Sequence, residues 1–147
     1  MSGTPIHSPA DILAQLIINL GLGTAPASAL AWPVFSSQEP DLPDDCVTVY
    51  DAAAQQQGRT MIDGQRQESP GFQVRVRAAH HEDGYKKSQA IATGLDEDFY
   101  DASLLLGSTH YLVHSVSRST GVIALGKEPN TQRVAFTFNG TVTLKQL

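Results

Sequence analysis

The stretch "DAAAQQQGRTMIDGQRQESPGFQVRVRA", Asp51 to Ala78, holds two kinds of chain. In its last part Phe72, Val74 and Val76 fall on one face of a strand, and Gln73, Arg75 and Arg77 on the other. That period of two marks a strand with one apolar face. The part before it, Asp51–Gly71, is polar, lacks apolar periodicity and far exceeds the usual connection of a few residues. Upstream, "CVTVYDA" alternates again, with Val47 and Val49 expected inward and Thr48 outward. A long polar segment between two strands is either a mobile surface loop or an extension built to touch something outside the domain.

Asp63-Gly64, inside that segment, is a strong two-residue hairpin signal, because both central positions need positive φ. Arg59–Ile62 and Gln65–Glu68 are therefore expected to pair as the arms of a protruding hairpin on flexible Ala/Gln and Ser/Pro stems. An isolated two-stranded hairpin is marginal in water. Only Met61 and Ile62 offer it apolar surface, and its long polar side chains lose rotamer freedom on ordering. A neighbouring chain could supply what is missing, by accepting an edge and covering Met61 and Ile62. The expected self-assembly loop is thus Arg59, Met61, Ile62, Asp63, Gly64, Gln65 and Arg66.

Outward from this region, "SPADILAQLIINLGLG" has the grammar of a helix. Ser8 can cap it, Pro9 suits the first turn, and Asp11 meets the positive end of the helix dipole. Ile12, Leu13, Leu16, Ile17 and Leu20 recur at helical spacing, and Gly21 or Gly23 ends the run. A short strand is expected around Trp32–Phe35. A second helix covers "EDGYKKSQAIATGLDEDFY", with Tyr85, Ile91, Ala92, Leu95 and Phe99 as its apolar stripe and Gly94 weakening it by about 1 kcal/mol relative to Ala. "SLLLGSTHYLVHSVS" predicts two strands joined at Gly107-Ser108. "GVIALG" and "RVAFTFNGTVTL" supply the closing strands, with Asn139-Gly140 expected inside one long strand rather than at a turn. The order of elements has no βαβ alternation. It argues for an α+β fold: a mostly antiparallel sheet, two main helices packed on it, and a long protruding β-hairpin loop at 51–71.

Composition bounds the function. The chain of 147 residues is expected to form one domain, 1–147, and its 41% hydrophobic content is ordinary for a folded chain. A formal charge of −5 offers no basic footprint for gripping nucleic acid, yet suits a surface past which DNA slides. Cys46 is the sole cysteine, which excludes an intramolecular disulfide, and it is expected as a buried apolar filler. No secretory signal or membrane span is expected, so the chain should be made in a reducing cytoplasm.

Catalytic patterns are missing. His80-His81-Glu82-Asp83 lacks the i, i+4 pairing of a helical zinc site, and His110 and His114 are too far apart to chelate without a third ligand. "GLG" follows a helix rather than a strand, and nothing resembles a nucleophile on a strained turn. No enzyme activity, metal or cofactor is expected. Arg75 and Arg77 are expected on a solvent or inter-subunit strand face, where an acidic patch of the next subunit could meet them. Asp96, Glu97 and Asp98 sit where the dipole of the second helix disfavours anions. They read as a solvated acidic face or, as the family resemblance that follows implies, a candidate lumen or docking patch.

Taken together, the N-terminal helix Ile12–Leu20, "PDDCVTVYD", "SPGFQVRVRA", the Tyr85/Ala90/Ile91/Leu95 helix, "THYLVHSV" and "IALGKEPNTQRVAFTFNGTV" resemble the small tail terminator proteins of long-tailed bacteriophages. The resemblance covers most of the chain, although Thr24–Pro40 matches little, and Lys127-Glu128-Pro129-Asn130 stands where relatives often have Arg-Asp-Glu-Asn-Gly. It implies a virion protein of the tail and neck, made in the host cytoplasm. Such a protein forms a homo-oligomeric ring, six subunits being the expected count, that caps the tail tube protein at final length. The ring then joins the tube to the head-side connector while DNA passes through the lumen. A head-completion or adaptor neck protein is the nearest alternative. A small monomeric enzyme or regulator with a lid loop is a more distant one.

Overall fold

The N-terminus of the first helix is tied to the sheet that it covers. In the computed structural model, which describes residues 7–26, 31–40, 43–59, 66–97, 101–129 and 131–146, helix α1 runs Pro9–Asn19. Ser8 Oγ accepts from the Asp11 N–H at 3.2 Å, and Asp51 Oδ1 accepts from the Ala10 N–H at 2.8 Å. Pro9 has no N–H to satisfy, so the first-turn donors of Ala10 and Asp11 are both provided for. At the other end Gly21, with φ 76°, donates to Ile18 O, and Leu22 donates to Ile17 O. This is the paired bonding of a Schellman stop, and it needs the left-handed residue that glycine supplies without strain. Between the caps Ile12, Leu13, Leu16 and Ile17 are buried.

The strands are β1 (Val34–Ser36), β2 (Cys46–Arg59), β3 (Arg66–Ala78), β4 (Ala102–Leu106), β5 (Thr109–Arg118), β6 (Ile123–Lys127) and β7 (Val134–Gln146), with helix α2 (His81–Glu97) between β3 and β4. They form one curled seven-stranded sheet in the order β1-β2-β3-β7-β5-β4, with β6 also on β7. β1 and β2 are parallel, and the other described pairings are antiparallel. β7 organises the sheet. One of its edges carries β3 along Val134–Thr141, and the other carries β6 opposite Val134–Thr137 and then β5 opposite Gly140–Gln146. β4 and β5 meet at Gly107, φ 61°, with Leu106 opposite Thr109.

Phe72, Val74, Val76, Val47, Val49, Phe138 and Val142 share one core with α1 and with Ile91, Ala92 and Leu95 of α2, so both helices lie on the same face. Asn139-Gly140 lies within the long strand, and glycine is required there for space. A Cβ on residue 140 would sit 2.5 Å from Ser117 O and 2.8 Å from Phe72 Cζ.

The helical stripe of α2 differs from its expected position. Gly84, Ser88, Ile91, Ala92 and Leu95 point inward, while Tyr85 is 47% exposed. Gly84 faces Phe136, where a Cβ would fall 2.7 Å from the ring edge, and this close approach turns the helix so that Tyr85 is left at the rim. Gly94 makes room for Leu22, which follows the stop of α1. Thr48 departs from expectation too: it is fully buried rather than outward. The polar face of the sheet is itself covered, as described below.

Candidate assembly surfaces

Asp51–Gly71, expected as stems and a loop, is largely strand. β2 and β3 stay paired from Cys46↔Arg77 through Ala52↔Gly71, Gln55↔Ser69 and Gln56↔Glu68 to Arg59↔Arg66. Beyond Thr141, β7 no longer accompanies β3, and β1 pairs with β2 only through Val49. From Ala52 and Pro70 onward, β2 and β3 therefore have only each other among the described strands. Five residues of β3 on this ribbon span about 17 Å. Both register shifts place the extra residue on β2, between Ala52 and Gln55 and between Gln56 and Arg59. Bulges of this kind bend and twist the strand that carries them.

A two-residue turn at Asp63-Gly64 would set Arg59 opposite Glu68, whereas Arg66 is its partner. Sequence reasoning missed the two bulges, which shift the arms relative to each other. Met61, Ile62, Asp63, Gly64 and Gln65 lie outside the described residues. So do Asp98 and Phe99.

Arg75 and Arg77 stand on the second face of the sheet, and their carboxylate partners belong to the same chain. Arg75 Nε lies 3.2 Å from Glu39 Oε1, an ion pair without hydrogen-bond geometry, and its Nη2 is 3.3 Å from Glu128 Oε1. Arg77 is 2% exposed and donates to the Pro43 and Asp44 carbonyls. Arg133 joins the cluster, 2.8 Å from Glu128 Oε2 and 3.6 Å from Asp44 Oδ1. Within the same chain Glu39 and Glu128, from the segment before β2 and the turn before β7, supply carboxylates to this face. Their sequence distance from Arg75 hides them from any spacing rule, and Glu128 sits in the turn where the chain departs from its relatives.

Beneath this cluster Cys46 is fully buried, and burial pushes its thiol pKa up to about 11. Burial, followed by the charge of Glu39, raises that of Tyr50. Asp96, at the end of α2, has Arg118 of β5 4.0 Å away. Lys87 lies over the Trp32 ring, 5.6 Å from its centroid, and burial lowers its pKa. His114 Nδ1 is 2.9 Å from Asp101 Oδ1. Among the described residues no group of three or more His, Cys, Asp or Glu is arranged to hold a metal ion, and no helix is long and apolar enough to cross a membrane.

What this geometry offers is strand edges, a ribbon and a rigid body. The family model described as "Bacteriophage tail terminator protein" matches residues 16–120. A chain in the solved structure of the virion of a native gene transfer agent particle is similar over 95% of this chain and 99% of that chain. Their identity is 12% and the TM-score 0.55, which establishes a shared fold. No curated protein matches. The match over most of the chain is decisive: the protein belongs to the bacteriophage tail terminator family. It is a structural protein of the phage virion, located in the tail and neck.

Proposed function

We propose that this protein closes into a ring, of six subunits on present expectation, which caps the tail tube at its final length. The ring offers its other side to the head-side connector, and DNA passes through its lumen without specific binding. The observation that carries this reading is the β2–β3 ribbon, which continues past its last neighbours in a chain of this family. Exposed backbone on a two-stranded ribbon is a ready template for another chain. A heterologous contact that closes on itself ends growth, and this separates a stopper from a filament.

This reading assigns the acidic sequence Asp96-Glu97-Asp98 to the lumen or to a docking partner; in a lumen, repulsion from DNA phosphates keeps the passage free. The protein's part is mechanical, with no catalytic step. The test is a phage made without this protein and imaged by electron microscopy. Free tails of uncontrolled length are the expected result. Tails of normal length beside heads that leak DNA would instead assign it to head completion.

A further inference from the structure

Besides β1 and β4, which end the strand order, β6 presents an edge with no described strand beside it, across β7 from the ribbon. β5 and β6 lie in tandem along one side of β7, interrupted at 119–122. β4 covers this line only from Thr109 to Val113. β6 pairs with β7 on one side, and no described strand lies on its other side. Every residue of β6 is exposed, including Ile123 at 47% and Leu125 at 51%. Edge strands are normally blunted by charge, proline or cover. Two large aliphatic side chains on such an edge are a liability that a partner would remove.

The ribbon leaves the sheet at Gly71↔Thr141, and β6 lies against Val134–Thr137. Along β7 the two sites are therefore separated by up to about 24 Å, on opposite edges of the strand. Within one copy β3 and β7 stand between the root of the ribbon and β6. Placed on opposite edges of β7, the two surfaces suit head-to-tail contact between copies.

Resting on the ring reading above, we infer that β6 is the acceptor edge for the β3 arm of the ribbon, Arg66–Ser69, of the next copy. β6 carries one extra residue of its own, between Ala124 and Gly126, and the β3 arm is favoured over the β2 arm because it adds no further irregularity to the joint ladder, whereas both ribbon bulges lie on β2. The four residues of the β3 arm match the five of β6 in length. Successive copies joined in this way form a continuous band of sheet round the ring.

The test is disulfide trapping in assembled tails bearing Glu68→Cys and Leu125→Cys in one chain. Cys46 is buried and stays silent under native oxidation. The expected result on a non-reducing gel is a ladder of covalent oligomers reaching the full ring, with neither single-cysteine chain advancing beyond a dimer. Ile123→Asp/Leu125→Asp, at two exposed positions, is expected to keep the monomer's melting temperature and to lose ring assembly at least tenfold. Rings visible on tails without the ladder, or assembly of the double aspartate chain at the unmodified level, would overturn the β6 assignment while leaving the ring intact. Absence of rings with the unmodified chain would instead overturn the ring reading on which the assignment rests.

Discussion

Asp51 Oδ1 accepts a hydrogen bond from the Ala10 N–H at 2.8 Å, joining the base of the β2–β3 ribbon to the start of α1. Asp51 is the residue at which β2 leaves the sheet, paired with Phe72. One side chain thus anchors the ribbon's root and finishes the helix. Ala10 is fully buried but Asp51 is exposed, so water entering where the carboxylate stood takes over part of its role. Asp51→Ala is expected to cost about 1 kcal/mol, the typical value of a lost helix cap. Asp51→Asn, which keeps an acceptor oxygen, should recover most of that. Denaturant midpoints measured on the two variants check this.

Gly140 carries the contact between Phe72 and the middle of β7. A methyl group there meets Ser117 O and the Phe72 ring at distances that neither a backbone carbonyl nor a packed ring can tolerate. Gly140→Ala is expected to destabilise the fold by about 2 kcal/mol through overpacking. Gly121→Ala, where nothing lies within 4 Å, should leave the midpoint nearly unchanged. Equal effects of the two substitutions would reduce Gly140 to a matter of backbone entropy.

Much of this architecture is legible in the chain itself. The alternation of Phe72, Val74 and Val76 defines the core strand, Ser8 and Pro9 start α1, and Gly107 turns β4 into β5. What the alternation does not carry is the fate of the polar face. Period two says that Arg75 and Arg77 differ from their neighbours, and water is the default partner for such a row. Here a segment without periodicity supplies Glu39, Pro43 and Asp44, and a turn supplies Glu128, so Thr48 and Arg77 become buried. The ribbon's register is hidden for a related reason. A bulge is a one-residue insertion with no composition of its own, and two of them advance the partner of Arg59 by two residues, to Arg66, relative to the register set by Asp51↔Phe72. The apolar stripe read from the sequence puts Tyr85 on the inner face of α2, whereas close packing against Phe136 selects Gly84.

Glu128 bridges Arg75 and Arg133 with its two oxygens, and all three side chains are less than a third exposed. Removing the charge leaves Glu39 beside Arg75 and Asp44 beside Arg133 among the carboxylates of the described residues. Glu128→Gln is expected to cost about 2 kcal/mol, between the values for exposed and for buried pairs. The loss should be smaller in Arg75→Gln/Arg133→Gln chains. A double-mutant cycle by chemical denaturation measures the coupling.

Cys46 should resist alkylation in the folded protein and react once the chain unfolds. Its pKa is raised by burial from 9.0 to about 11, because the fold disfavours the thiolate. Between those values the unfolded chain gives up the proton first. The contribution is fully present below pH 9.0 and falls away as pH rises towards 11. Melting temperatures across that range, compared with Cys46→Ala, isolate the effect. A slope that is the same in both chains would assign it to other groups.

The account stands on a ribbon that ordinary hairpin energetics leave marginal until a second copy lies beside it. The most direct measurement is a cryo-electron microscopy map of the neck in assembled particles, resolved well enough to trace residues 52–70. The account predicts that the ribbon is ordered against the adjacent copy, with the β3 arm alongside β6. A ribbon standing free in solvent, or folded back over its own sheet, would contradict it.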